Sequence, residues 1–124
     1  MTYEVPALSV YTEAAVVSGA RLTNGNTTAA TIPGSASAFF VCVAVTAFTG
    51  GTNITYALQQ QDANGNWVTV GSTAAITAVG NYAFSVGPGM ANGQLLIPGS
   101  KYQVAWTVSG TFTGLTSQIG VSGR

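Results

Sequence analysis

The stretch from Tyr102 to Val108 constrains the fold more than any other part of the sequence. Large apolar side chains at Tyr102, Val104, Trp106 and Val108 alternate with smaller or polar ones. Successive side chains of a β-strand point to opposite faces, so this pattern collects all the large apolar groups on one face. The stretch is therefore predicted to be a half-buried strand, and Pro98-Gly99 just before it predicts a turn. By the same alternation in the other strand-like segments, the hydrophobic core is predicted to contain Val41 or Phe40 together with Ile54, Tyr56, Leu58, Phe84, Tyr102, Val104 and Trp106.

Other segments of the chain also have the character of strands. Residues 39–45 are apolar at almost every position, which is typical of a strand covered on both faces, so we expect a partner to cover its outer side. The Asn64-Gly65 turn lies between strand-like residues 58–61 and 67–70 and indicates a hairpin. Residues 74–78 form a weak candidate, and residues 81–86 and 115–121 form clearer ones. No segment has a sustained helical pattern, and we predict an all-β protein.

The number and spacing of these segments favour a sandwich of two antiparallel sheets, built from seven to nine short strands separated by Gly, Pro and Asn-Gly turns. The run Leu96-x-Pro98-Gly99-x-x-Tyr102 resembles the tyrosine corner of immunoglobulin-like and fibronectin type III domains. This resemblance implies an immunoglobulin/fibronectin III-like sandwich, and a jelly roll is the alternative. The single Cys42 cannot form an intramolecular disulfide and is expected to be a buried, inert thiol.

The first 35 residues are the least regular part of the chain. We expect residues 1–35 to form an N-terminal strand or arm with loops, and residues 36–124 to form the sandwich domain. The apolar side chains near the N-terminus need burial, and Pro6 and later turn residues interrupt the segment. One interpretation is an ordinary first strand, and the other is an arm that reaches a neighbouring subunit. On the second interpretation the candidate partner-binding residues are Tyr3, Val5, Leu8 and Tyr11.

Charge is unusually scarce in this chain. Only 5% of the residues are charged, with a formal net charge of zero, whereas roughly 25% is usual for soluble domains. Such a surface does not attract nucleic acid or an anionic membrane, and it does little to keep copies apart. We therefore expect protein partners and a homo-oligomer, with no nucleic acid or membrane partner. No apolar run is long enough to span a bilayer, no signal peptide is visible, and the lone cysteine is consistent with folding in a reducing cytosol.

Residues that commonly act in catalysis or bind metals are also scarce in this chain. The chain has no histidine and only three carboxylates, so an acid/base pair and a histidine metal site are not indicated. Asp62-x-Asn64-x-Asn66 lacks the glycine and glutamate that a calcium loop requires, and it is better explained as a turn. We expect no enzyme, no cofactor and no metal. Trp67, beside the hairpin turn, is a candidate for stacking against a sugar, although packing is the ordinary role of a tryptophan.

Two blocks of the second half resemble a known group of proteins. Residues 54–70, which contain an Asp-x-x-Gly-x-Trp hairpin, and residues 102–111, which read aromatic-x-Val-x-Trp-Thr-Val-x-Gly-Thr, are similar to small β-sandwich virion proteins of tailed bacteriophages. The resemblance implies a structural protein of the virion, made in the host cytoplasm, that decorates or cements the capsid by binding the major capsid protein or other virion proteins. The alternatives are a tail or neck component, or a carbohydrate-binding or adhesion module that stacks sugars on Trp67, Tyr56 or Tyr82.

Overall fold

Two antiparallel β-sheets stack face to face in a computed structural model of the chain. The structure describes residues 9–10, 17–34, 36–89, 93 and 95–123. This part of the chain contains no helix, and so it holds no helix long and apolar enough to cross a membrane. The predicted all-β class and the predicted two-sheet sandwich are both confirmed.

The strands fall into short segments near the N-terminus and long strands after residue 38. Their bounds are β1 Ser9–Val10, β2 Val17–Ala20, β3 Gly25–Asn26, β4 Ala30–Thr31, β5 Phe39–Gly50, β6 Asn53–Gln61, β7 Trp67–Ser72, β8 Gly80–Val86, β9 Lys101–Ser109 and β10 Phe112–Gly123. Each of β1 to β4 is too short to be stable alone, and each lies along a long strand that supplies its hydrogen-bond partners. Residues 74–78, the weak strand candidate, make only an isolated bridge between Ile54 and Ile76.

The strand order within the sandwich follows the jelly-roll alternative. Sheet A has the order β8-β5-β10, with β1 and β2 both along the free side of β10. Sheet B has the order β7-β6-β9, with β3 and β4 both along the free side of β9. The chain crosses between the sheets from β5 to β6, from β7 to β8, and again before β9 and β10. This repeated crossing is typical of a jelly roll, whereas an immunoglobulin domain pairs consecutive strands more often within one sheet.

Strand β9 has the inward and outward faces that its sequence predicts. Tyr102 and Val104 are fully buried, Trp106 is 9% exposed, and Val108 is half-buried at the end of the strand. The core between the sheets is formed by the inward side chains of all six long strands together with Ile32, Ala36, Ile76 and Leu96. The predicted core residues Ile54, Tyr56 and Leu58 on β6 are also fully buried, whereas Phe84 is only partly buried at the edge of the core.

A β-bulge changes which residues of β5 face the core. Val41, Val43 and Val45 point inward, and the pairing with β10 then shifts between Thr116 and Ser117. At this shift β5 contains one more residue than β10, and the residues that follow it are turned to the opposite face. Phe48 therefore packs against the core, although an undisturbed strand would turn it outward. Phe40 lies on the outer face and is 47% exposed, so of the two candidate core residues Val41 and Phe40 the structure selects Val41.

The turn before β9 has the geometry that Pro98-Gly99 predicts. The Ser100 amide donates to the Ile97 carbonyl at 3.1 Å, and Gly99 has a φ of +87°. A positive φ at this position, after a proline, is the requirement of a type II turn. The turn is tied to the N-terminal part of the chain, because the Gly99 amide donates to the Ile32 carbonyl at 2.8 Å. Tyr102 then enters the core with its ring edge-on to Phe39, at a centroid distance of 4.9 Å.

Candidate functional site: the two outer faces of the sandwich

The candidate partner-binding residues Tyr3, Val5, Leu8 and Tyr11 lie outside the described residues. Their role in an arm, and the division of the chain at residue 35, stay predictions. The described part of this segment pairs with the sandwich, since β3 and β4 lie along β9.

The candidate stacking residues occupy three different environments. Tyr56 has no exposed surface, so the proposal that it stacks against a sugar is wrong. Tyr82 is partly buried against the core, and its hydroxyl donates to the Ala78 carbonyl at 2.8 Å. Trp67 is half-buried and pairs with Gln61 across β6 and β7. Because Gln60 points into the core, Gln61 and its partner Trp67 point to the outer side of sheet B, where a ligand can reach the indole.

Asp62 has a structural role in the turn between β6 and β7. Its carboxylate accepts hydrogen bonds from the amides of Asn64 at 2.8 Å and Asn66 at 2.9 Å. These are the contacts of a side chain that fixes a loop, as the turn interpretation predicts. Within the described ranges, no three His, Cys, Asp or Glu side chains come together in a way that could hold a metal ion.

Cys42 is not fully buried, contrary to the expectation. It lies on the outer side of sheet A and is half-buried, because its neighbours Val41 and Val43 take the inward positions of β5. Burial among apolar neighbours raises the pKa of the thiol above its usual value. A raised pKa disfavours the thiolate, which is the nucleophilic form of cysteine.

A buried polar cluster that no local sequence pattern predicts joins the two sheets. Arg21, directly after β2, is 6% exposed and lies over the Trp106 ring at 4.4 Å. Its Nε donates to the Ser117 hydroxyl at 3.2 Å, and the Tyr56 hydroxyl also donates to that oxygen, at 2.6 Å. Burial lowers the pKa of Arg21 and raises that of Tyr56. The cluster is enclosed by protein, so its function is to stabilise the fold.

The outer side of sheet A, which we call face A, is uncharged where the structure describes it. Its centre is the outward row of β5, namely Phe40, Cys42 and Ala44. The register places small or polar residues beside this row, namely Asn81, Ala83 and Ser85 from β8 and Gln118, Gly120 and Ser122 from β10. Phe40 is thus an exposed aromatic surrounded by small neighbours. This is the apolar outer side of β5 for which the sequence predicts cover by a partner.

The outer side of sheet B, which we call face B, is polar and has a different construction. Gln103 of β9, Gln59 of β6 and Thr69 of β7 lie directly opposite one another, and Asn26 of β3, which pairs with Ala105, lies diagonally beside Gln103 and extends this row across the sheet. Asn26 Nδ2 donates to Gln103 Oε1 at 3.1 Å, and Gln103 Nε2 donates to Gln59 Oε1 at 2.8 Å. Gln59 Nε2 then donates to Thr69 Oγ1 at 3.4 Å. We call this row of hydrogen-bonded side chains the amide ladder. Trp67 lies two residues before Thr69, which is the member of the ladder on β7.

An open groove of about 600 Å³ lies at the end of the sandwich where β9 turns into β10. Leu22, Val108 and Phe112 provide its apolar surface, and Thr23, Asn24, Gly110 and Thr111 complete its lining. Thr23 and Asn24 are already engaged with β9, because the Trp106 indole donates to the Thr23 carbonyl and the Val108 amide donates to the Asn24 side chain. The groove therefore marks where the N-terminal segment is attached to the sandwich.

Comparison with known proteins identifies the fold and no family. No protein-family model matches the sequence, and no curated protein matches it. Among solved structures, the enzymatically active domain of tailspike protein 4 of bacteriophage CBA120 is similar, with a TM-score of 0.52 and 14% identity. That match covers 82% of this chain but only 14% of the tailspike chain.

Two other solved structures have a similar sandwich. PirA has a TM-score of 0.51 and 13% identity, with 88% of this chain and 93% of PirA covered. A CBM4 structure has a TM-score of 0.49 and 12% identity, with 82% of this chain and 61% of that chain covered. The likeness to the tailspike domain and to PirA establishes a shared β-sandwich fold only, because the identities are below 25%.

Proposed function

We propose that this chain is a structural protein of a tailed-bacteriophage particle that decorates the capsid shell through face A and performs no catalysis. The two sequence blocks that resemble small virion proteins support the phage origin. They lie in the β6–β7 hairpin and in β9 with its following turn, which are central elements of the fold. The phage tailspike domain of similar fold is compatible with this origin.

Face A is the observation that carries the capsid proposal. Phe40 is 47% exposed on this face, and its described neighbours are small and uncharged. Protein interfaces commonly have an aromatic anchor in a region depleted of charge, so a protein surface is a suitable partner for this face. A protein that binds only the assembled shell, for example by bridging neighbouring capsomers, stabilises that shell by linkage. This role requires no catalytic activity.

Binding of the purified chain to undecorated capsids, measured by co-sedimentation, tests this proposal. We expect Phe40→Ser to weaken binding by about tenfold or more, which corresponds to ~1.4 kcal/mol. Val79→Ser is the matched control, because Val79 is 58% exposed but lies in the loop before β8. Equal binding of the two variants and the unchanged chain would exclude face A as the contact surface.

A truncated chain tests the arm interpretation of the N-terminus separately. Removing residues 1–8 leaves β1 and every later strand present. We expect a melting temperature close to that of the full chain, together with weaker capsid binding. A truncated chain that fails to fold would instead identify the segment as an ordinary part of the sandwich.

A tail or neck position is the second candidate, since face A would suit any uncharged virion surface. Electron cryomicroscopy of particles with and without this chain distinguishes the positions. Density lost over the capsid lattice supports decoration, and density lost only at the neck or tail contradicts it.

A further inference from the structure

We propose that face B binds a neutral oligosaccharide, with one sugar ring stacked on Trp67 and hydroxyl groups hydrogen-bonded to Asn26, Gln59 and Gln61. This inference is independent of the capsid proposal, because face B is on the opposite side of the sandwich from face A. A chain attached through face A would present face B to the surroundings.

The amide ladder is held in place before any ligand arrives. Gln103, in the middle of the row, is only 8% exposed and is hydrogen-bonded on both sides, to Asn26 and to Gln59. Its burial and its two partners fix the orientation of the more exposed amides beside it. Groups that are ordered in the free protein lose less conformational entropy on binding, so the ladder is suited to recognition.

The ladder retains hydrogen-bonding capacity towards solvent. A primary amide has two N–H donors and two acceptor lone pairs. Gln59 uses one donor towards Thr69 and one lone pair towards Gln103, so one donor and one lone pair remain. Gln61 donates once, to the Gly65 carbonyl, and its side-chain oxygen accepts no hydrogen bond from a described residue. Adjacent donors and acceptors match the hydroxyl groups of a sugar, since each hydroxyl both donates and accepts.

Trp67 supplies the apolar part of this site. Its partner across the strands is Gln61, and Thr69 at the end of the ladder lies two residues away on the same face. An aromatic ring with a partly exposed surface beside oriented polar groups suits a ligand that has both C–H faces and hydroxyl edges. The row from β3 to β7 spans three strand spacings, roughly 14 Å, which accommodates a short oligosaccharide.

The charge and polarity of face B favour a neutral sugar over other ligands. Lys101, the first residue of β9, is the one charged side chain that the described strands place on this face. A nucleic acid or a polyanionic glycan would need several cations. A protein partner would have to desolvate the ladder, and apart from Trp67 the described strands place no large apolar side chain on this face.

Titration of the ¹⁵N-labelled chain with cellohexaose, maltohexaose, mannohexaose and galactohexaose tests this site. We expect at least one of them to shift the side-chain amide signals of Asn26, Gln59 and Gln61 and the indole signal of Trp67. The indole signal of the buried Trp106 should not move. If none of the four sugars shifts the face B signals at about 10 mM, or if only signals elsewhere move, the proposal is overturned.

Variants then assign the binding to the proposed groups. We expect Trp67→Ala and Gln59→Ala each to weaken the binding by at least about tenfold, whereas Gln118→Ala, an amide truncation on face A, should leave it unchanged. Trp67→Thr also removes the aromatic ring but keeps a residue that favours a strand, and it serves in place of Trp67→Ala if the alanine variant unfolds. Unchanged sugar affinity in the Trp67 and Gln59 variants would overturn the site.

The same variants separate this inference from the capsid proposal. Trp67→Ala should bind undecorated capsids as the unchanged chain does. If it loses capsid binding and no sugar binds, face B is a protein interface and the sugar proposal is wrong.

Discussion

At the scale of single residues, Arg21 shows how a buried charge is accommodated in a chain with very few charges. Its guanidinium lies over the Trp106 ring, and its Nε donates to the Ser117 hydroxyl. The Tyr56 hydroxyl donates to the same oxygen, so one hydroxyl of sheet A is connected to side chains of sheet B and of the N-terminal segment. A buried polar group that is fully hydrogen-bonded fixes the alignment of its surroundings, because each displacement leaves a group unsatisfied.

Trp106→Ala should cost about 3–5 kcal/mol of unfolding free energy, the range for removing a large buried aromatic. The substitution leaves a cavity, removes the ring beneath Arg21 and deprives the Thr23 carbonyl of its donor. Reversible urea unfolding measures the change, and Trp67→Ala on face B is the control, with an expected loss of about 1 kcal/mol or less. A similarly small loss for Trp106→Ala would show that this residue does not support the core.

The unfolding free energy of the protein should fall at alkaline pH because of Tyr56. Burial raises the pKa of Tyr56 above the ordinary value of 10.0, although the hydrogen bond with Ser117 and the charge of Arg21 lower it in part. Below about pH 10 the phenol is protonated in the folded and unfolded chains, and its contribution is fully present. Above that pH the unfolded chain releases the proton first, so the unfolding free energy falls as the pH rises.

Unfolding of Tyr56→Phe between about pH 8 and pH 11 tests this expectation. At neutral pH the unfolding free energy of the variant should be about 1 kcal/mol lower, because the hydrogen bond to Ser117 is lost. Between neutral and high pH, the unfolding free energy of the variant should fall less than that of the unchanged chain. Cys42→Ser removes a different group with a raised pKa and serves as the control. Parallel pH profiles for Tyr56→Phe and the unchanged chain would contradict the assignment.

At the scale of elements, the β6–β7 hairpin depends on a short loop in which one residue has a positive φ. The Asp62 carboxylate accepts hydrogen bonds from two backbone amides, and Gly65 has a φ of +84°. A Cβ at Gly65 would find ample space, because the nearest atom outside its chain neighbours is Gln61 Nε2 at 4.0 Å. The requirement for glycine is therefore conformational, since other residues adopt this φ only with strain.

Gly65→Ala should therefore destabilise the protein by about 1 kcal/mol through its backbone conformation. Gly34→Ala is the matched control: Gly34 also has open space around its Cβ position, and its φ lies outside the positive region. We expect the control to be neutral or slightly stabilising in urea unfolding. Equal effects of the two substitutions would show that the hairpin loop tolerates alanine without strain.

At the scale of the whole molecule, the scarcity of charge determines how the chain can associate. Only six of the 124 residues are charged at neutral pH, three of each sign. An interface formed by face A would contain little that salt can screen, because the described residues of that face are uncharged. Shape and apolar contact would then provide most of the binding free energy.

Capsid binding should consequently change by less than about threefold between low and high ionic strength. Co-sedimentation with undecorated capsids at low and at high sodium chloride measures this dependence. A steep loss of affinity with salt would contradict an uncharged interface and would indicate that charged residues contribute to the contact.

The sequence by itself determined the elements of this protein that depend on local pattern. The alternation in β9, the Asn64-Gly65 hairpin and the Pro98-Gly99 turn were all predictable, since strand period and turn geometry are properties of neighbouring residues. The core residues of β6 and β9 followed from the same alternation. The absence of a helical pattern likewise determined the all-β class.

The tertiary structure alone decided how these elements are connected and which side chains meet. The jelly-roll order depends on which distant strands pair, and no local pattern records that choice. The bulge in β5 turned Phe48 inward, because a shift of one residue exchanges the faces of a strand. Phe40 lies outside because its neighbours Phe39 and Val41 take the inward positions of the strand before the bulge. Arg21 and Ser117, 96 residues apart, meet only through the stacking of the sheets. The amide ladder exists only because the pairing of β3, β9, β6 and β7 brings its members within hydrogen-bonding distance of one another.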